Sequence, residues 1–225
     1  MSKERKLILE ASRSTWEMRI NHGTELDKTK KMKEVRGKIL KRDNCTCQFC
    51  GFRSVKYQEI HHINHDHDDY RESNLETICP LCHQAFHLST ASITIGGDII
   101  WLPEISQEQL NQLCIAIFIA EQSEDKKWKG PAKSLMASLL SRTEFVNQNI
   151  ANKASDPAIF ADALLKMPKD FMEKKKDIIS CFKLLPQANR FAHQIKYWSE
   201  NGVYKKLTLD KWFGIIPDDV AEKIK

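Results

Sequence analysis

The fold is decided by residues 47–87, which read CQFCGFRSVKYQEIHHINHDHDDYRESNLETICPLCHQAFH. Two Cys-x-x-Cys pairs bracket most of this stretch, one formed by Cys47 and Cys50 and the other by Cys79 and Cys82. Two such pairs, a few tens of residues apart, can place four thiolates tetrahedrally around one Zn²⁺. The cysteines could instead be buried apolar side chains or form two disulfides, but no secretory signal directs the chain to an oxidising compartment. Ligand type and spacing therefore predict a structural zinc site.

Other cysteines and polar residues near these pairs are not assigned as ligands. Cys45 lies two residues before the first pair and could compete for the metal, while Cys114 and Cys181 fall within apolar helical patterns. All three are interpreted as structural or inert. The loop from Ile63 to Ser73 contains the dense polar run His65–Asp69. Such a run is typical of a solvated, flexible connection.

Histidines between and just beyond the cysteine pairs form a second pattern. His61 and His62 are adjacent at the end of a predicted strand, where neighbouring side chains point to opposite faces. His83 and His87 are four residues apart, which puts both on one face of a helix. Three imidazoles leave a coordination position open for water or phosphate, whereas a four-thiolate site is closed. The simpler alternative is a helix that carries surface histidines beside a zinc knuckle.

The order of these residues resembles the ββα-metal motif of the HNH nucleases. The resemblance implies that His61, His83 and His87 bind a second divalent metal, which could be Mg²⁺, Mn²⁺, Ni²⁺ or Zn²⁺. It also implies that the metal stabilises the leaving oxygen, that His62 is the general base that activates water, and that Asn74 braces the loop. Descent from this fold does not prove activity, because a binding protein can keep the same histidines.

Composition and charge set bounds on the class of protein. The chain has 225 residues, 41% of them hydrophobic, which is enough to bury one substantial core. No apolar run approaches the ~18 residues of a membrane span, so we expect a cytoplasmic protein without membrane insertion. Residues 1–43 contain 13 Lys or Arg against 7 Asp or Glu. This excess suits a nucleic acid or an acidic partner, although a solvated helix face is the common alternative.

The chain divides into three predicted parts with an α+β fold. Residues 1–32 form an N-terminal arm, residues 33–90 an HNH-like zinc-binding unit, and residues 91–225 a β-hairpin followed by a mostly helical region. Apolar side chains at helical spacing predict a helix from Met32 to about Asp43. A second helix is predicted over residues 80–88, where proline is tolerated in the first turn.

Turn and capping signals organise the C-terminal part. A short hairpin is predicted from Ile93–Ile95 and Ile99–Trp101, joined by a Gly-Gly-Asp turn. Ser106 and Gln109 form a capping box for a helix that ends near Glu121. Three or four further helices are expected. Their boundaries are predicted at Lys129-Gly130-Pro131, Asp156-Pro157, Pro168 and Pro186.

Segments spread through most of the chain resemble the IcmJ family, also called DotN. They are Trp16, Arg42-Asp43, Thr46–Phe52, Pro103–Gln107, Leu110–Phe118, Ser155–Phe160, Leu184–Pro186 and Phe191–Trp198. The resemblance is specific, because generic HNH nucleases lack the helical tail. It implies a subunit of the type IVB (Dot/Icm) secretion system that joins the coupling complex at the cytoplasmic face of the inner membrane. Its partners would be the coupling ATPase, bound through its C-terminal extension, and the other coupling-complex subunits, with effector delivery as the outcome.

Two hypotheses follow, and they predict different surfaces. In the docking hypothesis the HNH-like unit is a zinc-held module, and a helix of the ATPase lies in an apolar groove. In the nuclease hypothesis an open metal site lies beside the basic N-terminal part and cuts DNA with little sequence preference. A docking module does not need the catalytic histidines, so their complete pattern supports the nuclease as the alternative function, while the docking subunit is the predicted function. Sequence-specific DNA binding is weaker, since no recognition helix with exposed base-reading side chains stands out.

Overall fold

The structure is a computed structural model, and it describes Leu7, Leu9, residues 30–91, Thr94, residues 96–124 and residues 126–201. The helices are α1 (Lys30–Arg42), α2 (Pro80–Ala85), α3 (Leu88–Ala91), α4 (Gln107–Gln122), α5 (Lys126–Ser141), α6 (Thr143–Asn149), α7 (Pro157–Lys166), α8 (Lys169–Lys174), α9 (Lys176–Ile179) and α10 (Ala192–Glu200). The strands are β1 (Glu59–His62), β2 (Leu75–Ile78), β3 (Gly97–Trp101) and β4 (Phe182–Pro186). The predicted α+β class is confirmed. Most of the predicted N-terminal arm, including Trp16, lies outside the described residues.

The zinc-binding unit is built on an antiparallel pair of short strands. β1 and β2 pair with Glu59 opposite Ile78 and His62 opposite Leu75. Helix α1 packs on β2, and its buried Ile39 joins a small apolar cluster with Leu75. The prediction of this helix from its apolar spacing is confirmed. Asp43, directly after the helix, accepts a hydrogen bond from the backbone N–H of Thr77 at 2.8 Å and so ties the helix end to β2.

The helix predicted over residues 80–88 is shorter than expected. It is divided into α2 and α3, and His87 lies between them. The backbone N–H of Phe86 donates to the carbonyl of His83, and that of His87 donates to Gln84. These three-residue bonds tighten the last turn and end the helix. The buried Phe86 ring stacks on the imidazole of His61, with ring centroids 4.4 Å apart.

The second sheet differs from the predicted hairpin in its partner strand. β3 pairs antiparallel with β4, so that Gly97 lies opposite Pro186 and Trp101 opposite Phe182. Gly97 therefore lies in the strand and not in a turn, and a Cβ atom there would collide with the carbonyl oxygen of Leu185. Close approach of two backbones explains this glycine. Ile93 and Ile95 lie outside the described residues.

In the helical region, the structure confirms some of the predicted caps and boundaries and contradicts others. The capping box of Ser106 and Gln109 is confirmed at the start of α4, and Asp156 caps α7 ahead of Pro157 as predicted. The boundary predicted at Lys129-Gly130-Pro131 is wrong, because Pro131 lies inside α5. A proline near the start of a helix removes one backbone bond, and the packing of α5 on α4 outweighs that loss. Six helices follow α4 within the described residues, where three or four were expected, and β4 is a strand that was not predicted.

One core connects the zinc unit to the C-terminal helices. The four paired cysteines belong to the same buried cluster as the apolar side chains of α4, α7, β4 and α10. Phe52, just after the first cysteine pair, packs edge-on against Trp198 of α10 with ring centroids 4.9 Å apart. This shared core means that the C-terminal helices stabilise the zinc unit directly. None of the described helices is both long and apolar enough to cross a membrane.

Candidate metal centre

The first cysteine pair lies in a tight turn held by backbone hydrogen bonds. The N–H of Cys47 donates to the carbonyl of Phe52, and the N–H of Gly51 donates to the carbonyl of Cys47, both at 2.9 Å. Gly51 has a φ of +72°, a left-handed conformation that favours glycine. The turn brings Cys50 back beside Cys47 and directs both thiols inward.

The second cysteine pair lies at the start of α2. Cys79 is the N-cap residue, and its sulfur accepts a hydrogen bond from the backbone N–H of Cys82 at 3.4 Å. Pro80 occupies the first helical turn, where its missing N–H has no intrahelical partner. Helix geometry then returns Cys82 to the same side as Cys79.

The two pairs converge on one buried point. All four sulfur atoms lie within 4.8 Å of one another, and those of Cys50 and Cys79 are 3.6 Å apart. Tetrahedral coordination with Zn–S bonds of about 2.3 Å requires sulfur separations of about 3.8 Å. Among the described residues, these four cysteines are the one group of three or more ligands that is this close. The donor set and the spacing fit a tetrahedral thiolate site.

The surroundings of the sulfurs require a cation if all four are to be thiolates. Burial raises the pKa of the Cys79 and Cys82 thiols. Hydrogen bonds from the neighbouring thiols, that of Cys50 first, lower the pKa of Cys47. The apolar interior thus tolerates one negative charge far better than four. A divalent cation would compensate the remaining charges, so the cluster could hold a metal such as zinc.

Three of the predicted histidines gather on one side of β1. The ring centroids of His61 and His83 are 5.5 Å apart, those of His83 and His87 are 4.8 Å apart, and the two Nε2 atoms of the latter pair are separated by 3.3 Å. Within the part of the chain that the structure describes, the nitrogens of these three residues do not form a ligand cluster as close as that of the cysteines. A second metal on them therefore stays a prediction.

Glu59 is a member of this cluster that the sequence analysis did not identify. One of its carboxylate oxygens lies 2.6 Å from Nδ1 of His83. A carboxylate in this position fixes the ring and its tautomer, and leaves Nε2 as the nitrogen that faces His87. The available signal was the two-residue spacing between Glu59 and His61, which places both side chains on one face of β1.

His62 points to the opposite face of the strand, as alternation predicts. Its ring lies 4.9 Å from that of His67 and 6.2 Å from that of Tyr70, and the residue is 6% exposed. Its Nε2 is buried without a hydrogen-bond partner among the described residues. Burial, with a smaller effect from the neighbouring imidazoles, lowers the pKa of His62 to about 4. The ring is therefore neutral at pH 7 but enclosed by protein.

Asn74 ties together the polar loop that follows β1. Its amide oxygen accepts from the backbone N–H of Asn64 at 3.0 Å, and its nitrogen donates to the Asn64 side chain at 2.8 Å and the Asp69 carbonyl at 3.1 Å. Asp69 also forms an ion pair with Arg71, whose guanidinium holds the pKa of that carboxyl well below its usual range. The loop is thus more ordered by local bonds than its composition predicts.

Comparisons with known proteins give two matches, one to the region of the cysteines and histidines and one to nearly the whole chain. A family model described as HNH endonuclease matches residues 47–88. The chain is also 33% identical over 202 residues to the type 4 apparatus protein DotN of Legionella pneumophila, a match that covers 89% of this chain and 91% of the relative. The chain belongs to the DotN family. The resemblance noted from the sequence is therefore confirmed.

The HNH match and the DotN match cover very different shares of this DotN-family chain. The first ends at Leu88, just after the histidine cluster, whereas the second spans most of the sequence. The second range must include most of the C-terminal helices, among them residues of α4 that contact the metal centre. Asn111 of α4 donates to the sulfur of Cys82 at 3.2 Å, and Gln112 donates to the carbonyl of Cys50. Neither contact was predicted from the sequence. The available signal was a polar residue within the apolar stripe of a helix.

Proposed function

We propose that this protein is a subunit of the type IVB (Dot/Icm) secretion system that docks on the C-terminal extension of the coupling ATPase and helps to deliver effector substrates. The observation that carries this proposal is the similarity to the type 4 apparatus protein DotN along nearly the whole chain. The protein would act at the cytoplasmic face of the inner membrane, recruited by the coupling complex. Its HNH-like unit would be a zinc-held module that supports the docking surface.

The metal of that module is proposed to be Zn²⁺. Four buried cysteine sulfurs at tetrahedral spacing are a donor set typical of structural zinc. Such a closed site contributes to folding and leaves no coordination position for a substrate. The role of the metal would then be to hold the β1–β2 strands and α2 in the arrangement on which the C-terminal helices pack.

The surroundings of His62 support docking more than catalysis. A general base must reach the proton that it removes, directly or through one water molecule. His62 is enclosed by His67 and Tyr70 and is 6% exposed. A phosphate group could not approach its Nε2 without displacement of the loop that Asn74 holds in place.

The ATPase contact is expected outside the residues that the HNH model matches. The proposed ATPase binding has no counterpart in an HNH nuclease, so the surface that would perform it is expected in the additional part of the chain. Phe145 of α6 is 43% exposed, and its ring lies 5.2 Å from that of Trp101. An exposed aromatic side chain of this kind is a common anchor in interfaces.

Binding of the purified protein to the C-terminal extension of the ATPase tests the proposal. Isothermal titration calorimetry is expected to give a saturable complex, and the His62→Ala variant should bind with unchanged affinity. A chain with wild-type zinc content and thermal stability that does not bind the extension would contradict docking. Loss of binding in the His62→Ala variant alone would show that the histidine site takes part.

The second candidate function is metal-dependent cleavage of DNA. The observation that favours it is the cluster of His61, His83 and His87, with Glu59 fixing one ring. Supercoiled plasmid is incubated with the protein and Mg²⁺, Mn²⁺, Ni²⁺ or Zn²⁺ in turn, beside the His62→Ala variant. We expect no nicking. Nicking that the variant lacks would establish an HNH nuclease and refute the docking-only view.

A further inference from the structure

Helix α4 carries two amide side chains in the middle of the core. Gln107 is 2% exposed and Asn111 is fully buried, one turn further along the same face. They are joined by a hydrogen bond of 3.0 Å from Nε2 of Gln107 to Oδ1 of Asn111. Burying amides in an apolar helix stripe is unfavourable unless their hydrogen bonds are made. Both residues therefore require a specific explanation.

The bonds of Gln107 fix the direction of the whole chain of amides. Its Oε1 accepts from the backbone N–H of Leu184, and its Nε2 donates to the carbonyl of Leu184, both at 2.8 Å. The second Nε2 proton is used by Asn111. Because Oδ1 of Asn111 is the acceptor, its Nδ2 is the atom that faces Cys82, at 3.2 Å from the sulfur.

We propose that Asn111 is a positioning residue for the metal-bound thiolate of Cys82, held in place through Gln107 by strand β4. An amide N–H directed at a thiolate withdraws charge from the sulfur and fixes its lone-pair direction. The thiolate then becomes less prone to protonation and to attack, and the metal leaves more slowly. This inference rests on the proposal that the four cysteines bind zinc, and not on the docking role.

The chain provides a matched control on the next residue of the same helix. Gln112 donates to the backbone carbonyl of Cys50, not to its sulfur. Replacing Gln112 therefore removes an amide contact to the other cysteine pair without changing the electron density on any ligand atom. A purely structural role for these amides would give similar results for both positions.

The test compares the wild type with Asn111→Leu and Gln112→Leu. Zinc content is measured first; a wild type that purifies with four free thiols and no zinc would remove the zinc proposal itself. With zinc present, its transfer to a chromophoric chelator should be about 10- to 100-fold faster in Asn111→Leu and close to the wild-type rate in Gln112→Leu. In the cobalt-substituted protein, the thiolate-to-cobalt band should move to longer wavelength in Asn111→Leu alone.

Unchanged zinc transfer and an unchanged cobalt band in Asn111→Leu would overturn the proposal, and so would equal changes in the two variants. If the leucine variant does not fold, Asn111→Ala replaces it and leaves room for a water molecule. Gln107→Met then tests the link to β4, because it releases Asn111 without touching the sulfur. We expect Gln107→Met to give an intermediate rate of zinc transfer; a wild-type rate would show that β4 has no part in positioning.

Discussion

Replacing one cysteine of the cluster should separate zinc-dependent from ordinary core stability. Cys79→Ser is the sharpest change, because serine is a good N-cap residue and preserves the start of α2 while it removes a sulfur ligand. Any loss of stability then reports on the metal and not on the helix cap. The matched control is Cys114→Ala, since Cys114 is equally buried but lies outside the cluster.

The size of the effect follows from the number of ligands. Structural zinc contributes roughly 10–16 kcal/mol to the folding of small zinc-binding units at pH 7. An equal share for each of four sulfurs gives about 2.5–4 kcal/mol for Cys79. At about 2–4 °C per kcal/mol for a chain of this length, the melting temperature should fall by about 5–16 °C. Cys114→Ala leaves a small cavity that costs about 1 kcal/mol, or about 2–4 °C.

Thermal unfolding with and without a strong zinc chelator measures both effects. The wild type and Cys114→Ala should each lose stability when the chelator is added, because a ligand that binds the folded state stabilises it by mass action. Cys79→Ser should have a low melting temperature without the chelator, and the chelator should lower it little further. If Cys79→Ser and Cys114→Ala gave the same melting temperature and the same chelator response, the reasoning from four thiolates to a structural metal would be refuted.

Three further changes test the surface, the second sheet and the loop. Phe145→Asp should weaken binding of the ATPase extension about tenfold, measured by calorimetry, whereas Tyr57→Asp, equally exposed but inside the HNH-matched residues, should not. Burial lowers the pKa of Lys183 to about 8 from 10.5, so the folded state loses the side-chain proton at a lower pH than the unfolded state does. Lys183→Met should therefore raise the free energy of unfolding by up to about 3 kcal/mol at pH 7. This gain should shrink as pH rises from 8 to 10.5, as measured by denaturant titrations. Asn74→Ala removes three hydrogen bonds and should cost about 2–3 kcal/mol, with faster amide exchange in residues 64–69; wild-type stability would contradict its bracing role.

Local chemistry explains why the metal centre could be predicted from the sequence. A Cys-x-x-Cys pair closes within one turn, and Gly51 and Pro80 mark those turns in the sequence itself. Only the meeting of the two pairs is a long-range event, and coordination of one metal ion by both pairs would require it. The alternation of His61 and His62 is equally local, because it depends on the period of a strand.

The features that were missed depend on partners far away in the chain. β4 is about 80 residues from β3, and nothing near Gly97 reveals that a second backbone approaches there. The contact of Asn111 with Cys82 has the same character, since it depends on how α4 crosses the zinc unit. Pro131 was read as a boundary because local propensity disfavours it in a helix, and tertiary packing overrides that propensity.

The complete histidine pattern can be explained without catalysis, because most of these side chains are buried. His61 is 3% exposed, stacks on Phe86 at 4.4 Å and lies edge-on to Phe49. Truncation to alanine would leave a cavity and remove an aromatic stack, at a cost of about 2–4 kcal/mol. His193, exposed on α10, provides the control, and its alanine variant should change stability by less than about 0.5 kcal/mol.

Denaturant unfolding of His61→Ala and His193→Ala therefore tests why the pattern is present. A large loss of stability for His61→Ala, together with no nicking of plasmid DNA by the wild type, would mean that packing is sufficient to explain this histidine in a docking protein. If His61→Ala were as stable as the His193→Ala control, packing would not explain the residue. The presence of the imidazole would then require a role in binding a metal or a substrate, and this result would support the nuclease hypothesis.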